Sequence, residues 1–463
     1  MSVQADVAII GAGPAGMIAA TRLAARNHNV VVLDEQAQAG GQIWRNITRT
    51  STGLAGILGP DYAAGATVAQ QFMASSAQHI HGATVWNLTR DRQLHYLQNG
   101  QTHVLSARAV ILATGAMERP FPVPGWTLPG VMGAGAAQVL LKGAGTVPAT
   151  PVVVAGCGPL LYLLCWQYLR AGVPIAAVLD TSAGTHIFAA APALLKGWTA
   201  FKDIRKGLSM IQAIRRHNIP FYRGVQHVQV LGDTRVSAVE FEHRGKTHRI
   251  ASDLVLLHQG VVPNTQFTWL LRADHAWSDA QACWIPRTDP WGRLKDMEGI
   301  YLAGDGQGIA GAQAAVTRGE LAALAVHSQL DPQHASSLDT ESAPFMAQLK
   351  QDMALRPFLD AAYLPRRENR IPQDSTIVCR CEEVTAGQIR DFVRQGCMGP
   401  NQAKSFSRCG MGPCQGRMCG LTVTEVIADQ LNIKQDAVGY YRIRAPLKPV
   451  TLAELASATD PDL

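Results

Sequence analysis

The sequence predicts an α/β protein with two dinucleotide-binding domains of the Rossmann-like, three-layer kind and a small helical domain near the C-terminal end. A strand, a glycine-rich turn, an apolar helix and a second strand occur at residues 5–36 and again at residues 150–180. A third observation sets the C-terminal domain apart, because six of the nine cysteines in 463 residues lie between Cys379 and Cys419. A chain of this length is expected to form several domains.

Composition narrows the functional classes. Hydrophobic residues make up 47% of the chain and charged residues only 16%, which indicates a compact globular protein. The net charge of +6 is scattered without interleaved stacking aromatics, so no nucleic-acid partner is expected. The uncharged stretch 143–169 is broken by prolines and glycines and is expected to form a strand, a turn and a helix instead of a transmembrane segment.

The start of the chain predicts both a location and a nucleotide site. Residues 3–10 run as a strand into a glycine turn without a secretory signal, which predicts a cytoplasmic protein with reduced cysteines. Gly11, Gly13 and Gly16 have the spacing that permits a tight turn, close approach of a pyrophosphate, and helix-to-strand packing. Asp34 lies where a ribose-binding carboxylate belongs, with Glu35 as its neighbour and alternative.

Two further segments indicate which nucleotide binds there. SARAVILATGAMERP and GIYLAGDGQGIAGAQAAVTRGELAALAV each place a glycine turn after a buried strand. They resemble the ATG and GD signatures of two-dinucleotide-domain flavoprotein oxidoreductases, in which the aspartate holds the ribityl chain of FAD. The resemblance assigns FAD binding to Gly11, Gly13, Gly16, Asp34, Gly41, Gln42, Thr114, Gly115, Gly304 and Asp305.

The second strand-turn-helix unit is degenerate. It keeps Gly156 and Gly158, but Leu161 stands at the third glycine position, where a bulky side chain should constrict the pyrophosphate path. Binding of NAD(P) is therefore disfavoured, and another adenine nucleotide or an empty site is expected instead. Asp180 at the end of the second strand would repel the 2′-phosphate of NADP.

The two predicted nucleotide-binding domains contain no C-x-x-C or C-x4-C redox pair. Cys157 and Cys165 fall instead in the second nucleotide motif and its apolar helix. Such cysteines are usually inert and buried, so disulfide reduction is not expected.

The C-terminal cysteines form C-x-C at Cys379 and Cys381 and C-x4-C at Cys414 and Cys419. Zinc ribbons and knuckles favour C-x2-C pairs, so zinc or a purely structural role is the weaker alternative. Four thiolates near glycine-rich backbone suit an iron-sulfur cluster, whose negative charge N–H groups can offset.

The stretch resembles the bacterioferritin-associated-ferredoxin-like 2Fe-2S domain, particularly the variant that ends in GMGPCQGRMC. The resemblance makes the two pairs the cluster ligands. Cys409 is an alternative ligand and Cys397 is incidental. Between the pairs, Thr385 and Gln388 predict a capping box and a short helix that stops at Gly396.

These segments define the expected domain organisation. An FAD-binding domain comprises 1–120 and 285–330, and the degenerate dinucleotide-binding domain comprises 121–284. A proline-containing linker spans 331–375, the 2Fe-2S domain 376–425, and a C-terminal tail 426–463, which is expected to pack back on the body without chemistry of its own.

Over nearly its whole length the chain resembles the FAD- and cluster-containing subunit of bacterial heteromeric amino-acid and opine dehydrogenases. This family includes the corresponding subunits of opine oxidase, hydroxyproline dehydrogenase and hydrogen cyanide synthase. The resemblance implies an electron-transfer role, a partner flavoprotein of the D-amino-acid-oxidase type that oxidises the substrate C–N bond, a small third subunit in some complexes, and a quinone or dye as acceptor. Peripheral placement at the inner face of the membrane is the alternative to a purely cytoplasmic location.

Two other functional classes remain open. A self-sufficient NAD(P)H-dependent reductase could feed the cluster, and a scaffold subunit with vestigial nucleotide sites could hold a partner's flavin. No constellation for a substrate carboxylate and amine is recognisable, since Arg119 and His258 each stand alone in the sequence. Catalytic residues are therefore not assigned.

Overall fold

The structure is a computed structural model that describes residues 3–184 and 201–457. It contains two nucleotide-binding folds, then a connector (residues 331–375) and a cysteine-bearing helical domain, which confirms the predicted fold class. Residues 185–200 of the predicted second domain and the last six residues of the predicted tail lie outside the described residues. Among the helices that the structure describes, none is both long and apolar enough to cross a bilayer.

The first nucleotide domain is built on a seven-stranded sheet. Its strands are β1 (Val3–Ile10), β2 (Val30–Asp34), β3 (Gln78–His81), β4 (Thr84–Leu88), β5 (Gln93–Gln98), β6 (Gln101–Leu112) and β19 (Ile300–Leu302). The strand β1 lies between β2 and β6 and is parallel to both. Runs of Val, Ile and Leu form the parallel strands because both faces are covered by other elements.

The second nucleotide domain has a five-stranded parallel sheet. Its strands are β8 (Val131–Gly133), β9 (Val152–Cys157), β10 (Ile175–Asp180), β11 (Phe221–Arg223) and β15 (Val255–Gln259). They lie in the order β11-β10-β9-β15-β8. An antiparallel sheet of β12 (Gln226–Gly232), β13 (Val236–His243) and β14 (Lys246–Ala251) packs beside it.

Three short antiparallel pairs complete the strands. They are β7 (Ala116–Glu118) with β16 (Val261–Pro263), β17 (His275–Ser278) with β18 (Cys283–Pro286), and β20 (Ile377–Cys379) with β21 (Val384–Thr385). The first pair joins the chain that leaves one nucleotide domain to the chain that returns from the other.

The helices cover these sheets and form the C-terminal domain. In the nucleotide domains they are α1 (Pro14–Ala24), α2 (Thr52–Leu58), α3 (Pro60–Ala63), α4 (Gly65–Ala74), α5 (Ala134–Ala144), α6 (Pro159–Arg170), α7 (Phe201–Arg216), α8 (Gln266–Leu270) and α9 (Ala312–Leu330). Beyond them lie α10 (Leu338–Asp352), α11 (Arg356–Ala362), α12 (Arg367–Arg370), α13 (Ala386–Arg394), α14 (Pro400–Ser407), α15 (Gly420–Leu431), α16 (Gln435–Val438) and α17 (Leu452–Ala456).

The uncharged stretch 143–169 folds as predicted, into the end of α5, the strand β9 and the helix α6. The predicted linker 331–375 is largely helical, since a 3₁₀ helix, α10, α11 and α12 lie within it. The boundary predicted at residue 425 falls inside α15, and the buried residues of the tail share one core with α13 and α15.

The tail packs back on the body as expected. The Leu447 N–H donates to the carbonyl of Trp86 at 2.7 Å, and Lys448 pairs with Glu35 at 2.8 Å. Further along, the Thr102 hydroxyl donates to the carbonyl of Glu454. The C-terminal domain is therefore fastened to the first nucleotide domain at several points.

Candidate functional site

The turn between β1 and α1 shows why glycine is needed at its first and third positions. Gly11 has φ of +101°, and a Cβ there would lie 2.6 Å from the carbonyl oxygen of Ala113. A Cβ on Gly16 would overlap the carbonyl oxygen of Gly11. Gly13 differs, because its Cβ would meet only the Cα of Gly41, at 3.8 Å. The protein itself therefore leaves room at Gly13, as a site for a close-lying pyrophosphate requires.

Asp34 lies at the end of β2 and faces this turn. Its carboxylate accepts hydrogen bonds from the N–H groups of Ala12 at 2.5 Å and Gln36 at 2.6 Å. Burial raises the pKa of Asp34, and these N–H groups oppose the rise. Each carboxylate oxygen keeps further acceptor capacity, which suits a ribose hydroxyl. The neighbouring Glu35 is exposed and pairs with Lys448, so Asp34 is the better placed of the two.

Gly41 and Gln42 come to the same turn from a separate loop. Gly41 has φ of +59° and lies against Gly13, because a Cβ on Gly41 would lie only 2.8 Å from the Cα of Gly13. The carbonyl of Gln42 accepts a hydrogen bond from the buried Lys142 of α5 at 3.2 Å. Desolvation, aided by repulsion from Arg45, lowers the pKa of Lys142 to about 7.

The two remaining glycine turns also converge on the first domain. The hydroxyl of Thr114 donates to the carbonyl of Asn264 at 3.3 Å, and the Asn264 N–H donates to the carbonyl of Gly115. The side chain of Asp305 accepts from the N–H groups of Ala310 at 2.9 Å and Gly311 at 3.1 Å. Asp305 thereby shapes the loop that leads into α9.

Arg318 is a residue of this site that the sequence analysis missed. It lies buried in α9 and donates to the carbonyls of Gly304 at 3.0 Å and Gly308 at 2.6 Å. The available signal was an arginine placed among the small and apolar residues of α9. The open face at Gly13, the buried carboxylate of Asp34 and this anchored loop fit a bound FAD.

The second glycine turn keeps the backbone of a nucleotide site. Gly156 and Gly158 have φ of +145° and +110°, and a Cβ on Gly156 would overlap the carbonyl oxygen of His258. Leu161, at the third glycine position, is fully buried in the core of the domain. The turn therefore supports the fold, while Leu161 fills the place where helix and strand would otherwise approach most closely.

The side chain expected to bind a ribose in the second domain is already engaged. The carboxylate of Asp180 accepts a hydrogen bond from the Tyr162 hydroxyl at 2.8 Å and from the Ser182 N–H at 2.9 Å. The connector lies over the same edge of the sheet, because the Arg366 guanidinium donates to the carbonyl of Thr181 at 2.9 Å. This edge of the second nucleotide crevice is thus filled by the chain's own residues.

The cysteines of the two nucleotide domains are buried, as predicted for Cys157 and Cys165. Burial raises the pKa of Cys157, Cys165 and Cys283 to about 12 in each case. The Cys157 thiol lies 3.2 Å from the side-chain oxygen of Gln259 and 3.5 Å from the carbonyl of Tyr363. A thiol with so high a pKa carries almost no thiolate at neutral pH.

Three C-terminal cysteines converge in the interior. The sulfur atoms of Cys379, Cys409 and Cys419 all lie within 4.8 Å of one another, and all three residues are buried. Hydrogen bonds from Cys409 and Cys419, together with backbone N–H groups of Gly410 and Glu382, lower the pKa of Cys379 to about 2. The group therefore stabilises a thiolate, which is the form that binds metal.

The other two predicted ligands form a pair nearer the surface. Cys381 is exposed, Cys414 is half-buried, and the two are hydrogen-bonded to each other. The structure thus groups Cys409 with Cys379 and Cys419, while Cys381 and Cys414 pair with each other. Cys397 lies apart, 3.3 Å from the carbonyl oxygen of Gly399.

Tyr441 gives the tail a contact that the sequence analysis did not foresee. Its hydroxyl donates to the sulfur of Cys409 at 3.3 Å and lies 3.7 Å from the sulfur of Cys419. The residue is buried, and the amine of Lys404 lies 4.9 Å from its ring centre. The tail consequently closes one side of the cysteine group.

Arg119 and His258 differ from each other in the structure. Arg119 donates to the carbonyls of Ala282 and Gln281, which is a structural role. His258 does not stand alone, because its Nδ1 lies 2.6 Å from the carboxylate of Glu118. Sequence reasoning missed this pair, since 140 residues separate its members.

The fold and these turns define an oxidoreductase of the two-dinucleotide-domain class. The sequence profile described as pyridine nucleotide-disulphide oxidoreductase matches residues 5–319, and the chain belongs to that family. A second profile, the sarcosine oxidase A3 domain, matches residues 373–459 and thus spans the cysteine group together with the tail.

Curated relatives match the chain from end to end. The opine oxidase A chain of Agrobacterium tumefaciens (strain Ach5) is 45% identical, over 97% of this chain and 91% of that protein. The HcnB chain of hydrogen cyanide synthase from Pseudomonas aeruginosa is 30% identical, over 96% of each. The predicted family resemblance and the oxidoreductase class are therefore confirmed.

A solved structure shares the fold over almost the whole chain. The crystal structure of L-proline dehydrogenase from P. horikoshii superimposes with a TM-score of 0.72, covering 98% of this chain and 80% of that one. At 18% sequence identity this likeness concerns the fold alone.

Proposed function

We propose that the chain is the FAD- and iron-sulfur-containing electron-transfer subunit of a heteromeric dehydrogenase that oxidises the C–N bond of an opine or amino acid. The substrate is oxidised mainly on a partner flavoprotein of the D-amino-acid-oxidase type, with a small third subunit in some complexes. A quinone or dye accepts the electrons. The complex lies in the cytoplasm or at the inner face of the membrane.

Two observations together carry this proposal. The second nucleotide crevice is filled at the Asp180 edge by Tyr162 and by the connector residue Arg366. In the same chain, three buried cysteines converge. Electrons are therefore expected to come from a partner rather than from NAD(P)H, and to leave through the cysteine domain. A second adenine nucleotide at Gly156 and Gly158 stays a prediction.

The residues present fit both groups. FAD would be held by the backbone at Gly13, by Asp34 and by the loop that Asp305 and Arg318 shape. A 2Fe-2S cluster is proposed on Cys379, Cys381, Cys414 and Cys419, with Cys409 as the alternative ligand. When bound, FAD takes up two electrons and a 2Fe-2S cluster passes them on singly.

Two alternatives make different predictions. A self-sufficient NAD(P)H reductase needs a ribose carboxylate that faces an open site, whereas the Tyr162 side chain lies against Asp180. A scaffold with vestigial sites need not keep the open face at Gly13. Within the family, the higher identity to the opine oxidase relative favours an opine or amino acid over the cyanide-forming branch.

The test compares the chain purified alone with the chain purified together with the products of adjacent reading frames. Dye reduction is assayed with opines, hydroxyproline, proline and glycine. We expect flavin and cluster absorption bands in the chain alone, and substrate-dependent dye reduction only in the complex. Full turnover by the chain alone would refute the electron-transfer role, and cyanide release from glycine would select the other branch.

Iron and acid-labile sulfide analysis tests the cluster separately. Zinc in place of iron, in an equal amount and without acid-labile sulfide, would refute the 2Fe-2S cluster. Replacing Cys409 or Cys414 by serine decides the ligand set, because only the loss of a ligand should reduce the iron content.

A further inference from the structure

We propose that His327, Asp331 and His334 form a binding site for a divalent transition-metal ion, zinc above all, where α9 passes into the connector. His327 lies in the last turn of α9, Asp331 follows that helix directly, and His334 lies in the 3₁₀ helix Pro332–Ser337. One potential ligand atom from each residue lies within 4.8 Å of the others. The site is remote in sequence from the cysteines and uses none of the residues assigned to FAD.

The local fold brings the three side chains together. Asp331 ends α9 and caps the following 3₁₀ helix, with its carboxylate accepting the Gln333 N–H at 3.2 Å. The other carboxylate oxygen lies 3.0 Å from Nδ1 of His334. The rings of His327 and His334 are 4.6 Å apart between centroids. Because a backbone cap holds Asp331, the arrangement does not depend on the metal to form.

A fourth residue orients the buried ligand. Nε2 of His28, from the turn before β2, lies 2.8 Å from Nδ1 of His327. Metal-binding histidines commonly use one ring nitrogen in a hydrogen bond that fixes the orientation of the ring. His28 supplies that contact here, so His327 is held in place while the rest of the site stays reachable.

Exposure and charge allow an ion to enter. The side chains of His334 and Asp331 are 49% and 38% exposed, so they can move toward an ion, whereas His327 is buried. Zinc bonds of about 2.0–2.1 Å place ligand atoms roughly 3.3 Å apart, which requires only a small closing movement. The neighbouring cation Arg26 is paired with Glu341 at 3.2 Å, which offsets its repulsion of the ion.

The ligand types select the ion. Two imidazoles and one carboxylate suit zinc and other late first-row ions, while magnesium and calcium prefer oxygen ligands alone. Three protein ligands leave a fourth position for water. A bound ion would tie the start of the connector to the end of α9 and, through His28, to the turn before β2 of the first sheet.

The test uses the full chain without a histidine tag and with its cluster loaded. Wild type, His334→Ala and the control His217→Ala are dialysed against micromolar zinc, and bound metal is measured by mass spectrometry. His217 is exposed, and its Nδ1 lies 2.9 Å from the carbonyl oxygen of Ala213 in α7. We expect wild type and control to hold one more zinc per chain than His334→Ala, whose affinity should fall at least tenfold.

A second variant separates ligand loss from a folding defect. Asp331→Asn keeps a side chain that can cap the 3₁₀ helix but removes the charged ligand, so it should also weaken zinc binding at least tenfold. Excess magnesium should not displace the zinc. Equal zinc content in wild type, His334→Ala and Asp331→Asn would overturn the proposal, as would displacement of the ion by magnesium.

Discussion

Gly13 differs from the other two glycines of its motif in what surrounds it. Gly11 and Gly16 are required by close backbone contacts, whereas the space beside Gly13 is left open by the protein. Replacement of Gly13 should therefore weaken FAD binding more than it destabilises the fold. Replacement of Gly16 should destabilise the fold more than it weakens FAD binding.

We expect Gly13→Ala to give folded protein with little bound FAD, because the new methyl group enters the path of the pyrophosphate. The measurement is the ratio of flavin to protein after gel filtration, together with the melting temperature. Gly53→Ala is the matched control, since nothing lies within 4 Å of a Cβ there. Full flavin retention in Gly13→Ala would count against the site.

Tyr441 should tune a cluster held by the cysteines beneath it. Its hydroxyl donates to Cys409, and hydrogen bonds to cluster sulfurs stabilise the more negative, reduced form. Tyr441→Phe should lower the reduction potential by roughly 40 mV, the equivalent of about 1 kcal/mol for one electron, without loss of iron.

A redox titration followed by electron paramagnetic resonance measures this change. Tyr440→Phe is the control, because the Tyr440 hydroxyl donates to the carbonyl of Gly416 instead of a sulfur. An unchanged potential in Tyr441→Phe would argue against Cys409 as a cluster ligand.

Lys142 should make stability depend on pH. Burial lowers the pKa of Lys142 to about 7 in the folded protein, while the unfolded chain keeps the ordinary value of 10.5. Between these values the unfolded chain binds more protons, so the free energy of unfolding should rise with pH, by at most about 1.4 kcal/mol per unit.

The measurement is the melting temperature between pH 7 and pH 9. The melting temperature of Lys142→Met should rise less with pH than that of wild type. Lys350 is exposed, so the melting temperature of Lys350→Met should follow that of wild type. Parallel curves for wild type and Lys142→Met would show that Lys142 is charged in the folded protein.

At the scale of elements, the second strand-turn-helix unit keeps its backbone but not its free ribose carboxylate. The helix α6 brings Tyr162 to Asp180, and Leu161 fills the space where the helix and the strand would otherwise lie closest. The connector residue Arg366 covers the adjoining edge of the sheet. An element can thus retain the shape of a nucleotide site while its own side chains occupy it.

We expect NADH and NADPH to reduce the flavin far more slowly than catalysis requires, because Tyr162 and Arg366 occupy the Asp180 edge of this crevice. Stopped-flow absorbance measures the bleaching, and dithionite serves as the control for a reducible flavin. Bleaching by NADH at catalytic rates would favour the reductase alternative.

At the scale of the whole molecule, the connector and the tail fasten the cysteine domain to both nucleotide domains. The indole N–H of Trp126 in the second domain donates to the carbonyl of Ile377 at 2.7 Å, and Lys448 reaches Glu35 in the first. The proposed electron transfer would therefore take place within one fixed body, and the proposed partner is expected to bind that body as a unit.

We expect a permanent complex whose interface buries on the order of 2,000 Å² or more. Co-purified subunits should remain together in gel filtration at nanomolar concentration. Dissociation at micromolar concentration would indicate a transient electron carrier in place of a permanent partner.

Sequence alone determined those features that depend on neighbouring residues. The fold class, the strand before Gly11, the capping box of Thr385 with Gln388, and the broken stretch 143–169 follow from local periodicity and turn chemistry, and the structure has each of them. Short-range patterns carry this information because helices, strands and turns form from contacts between residues close along the chain.

Only the tertiary structure decided which distant side chains meet. Glu118 pairs with His258 across 140 residues, and Tyr441 reaches Cys409 across 32. The engagement of Asp180 by Tyr162, within one motif, also depends on how α6 packs on its sheet. Such contacts arise from packing in three dimensions, and residue types or spacings in a single sequence do not specify them.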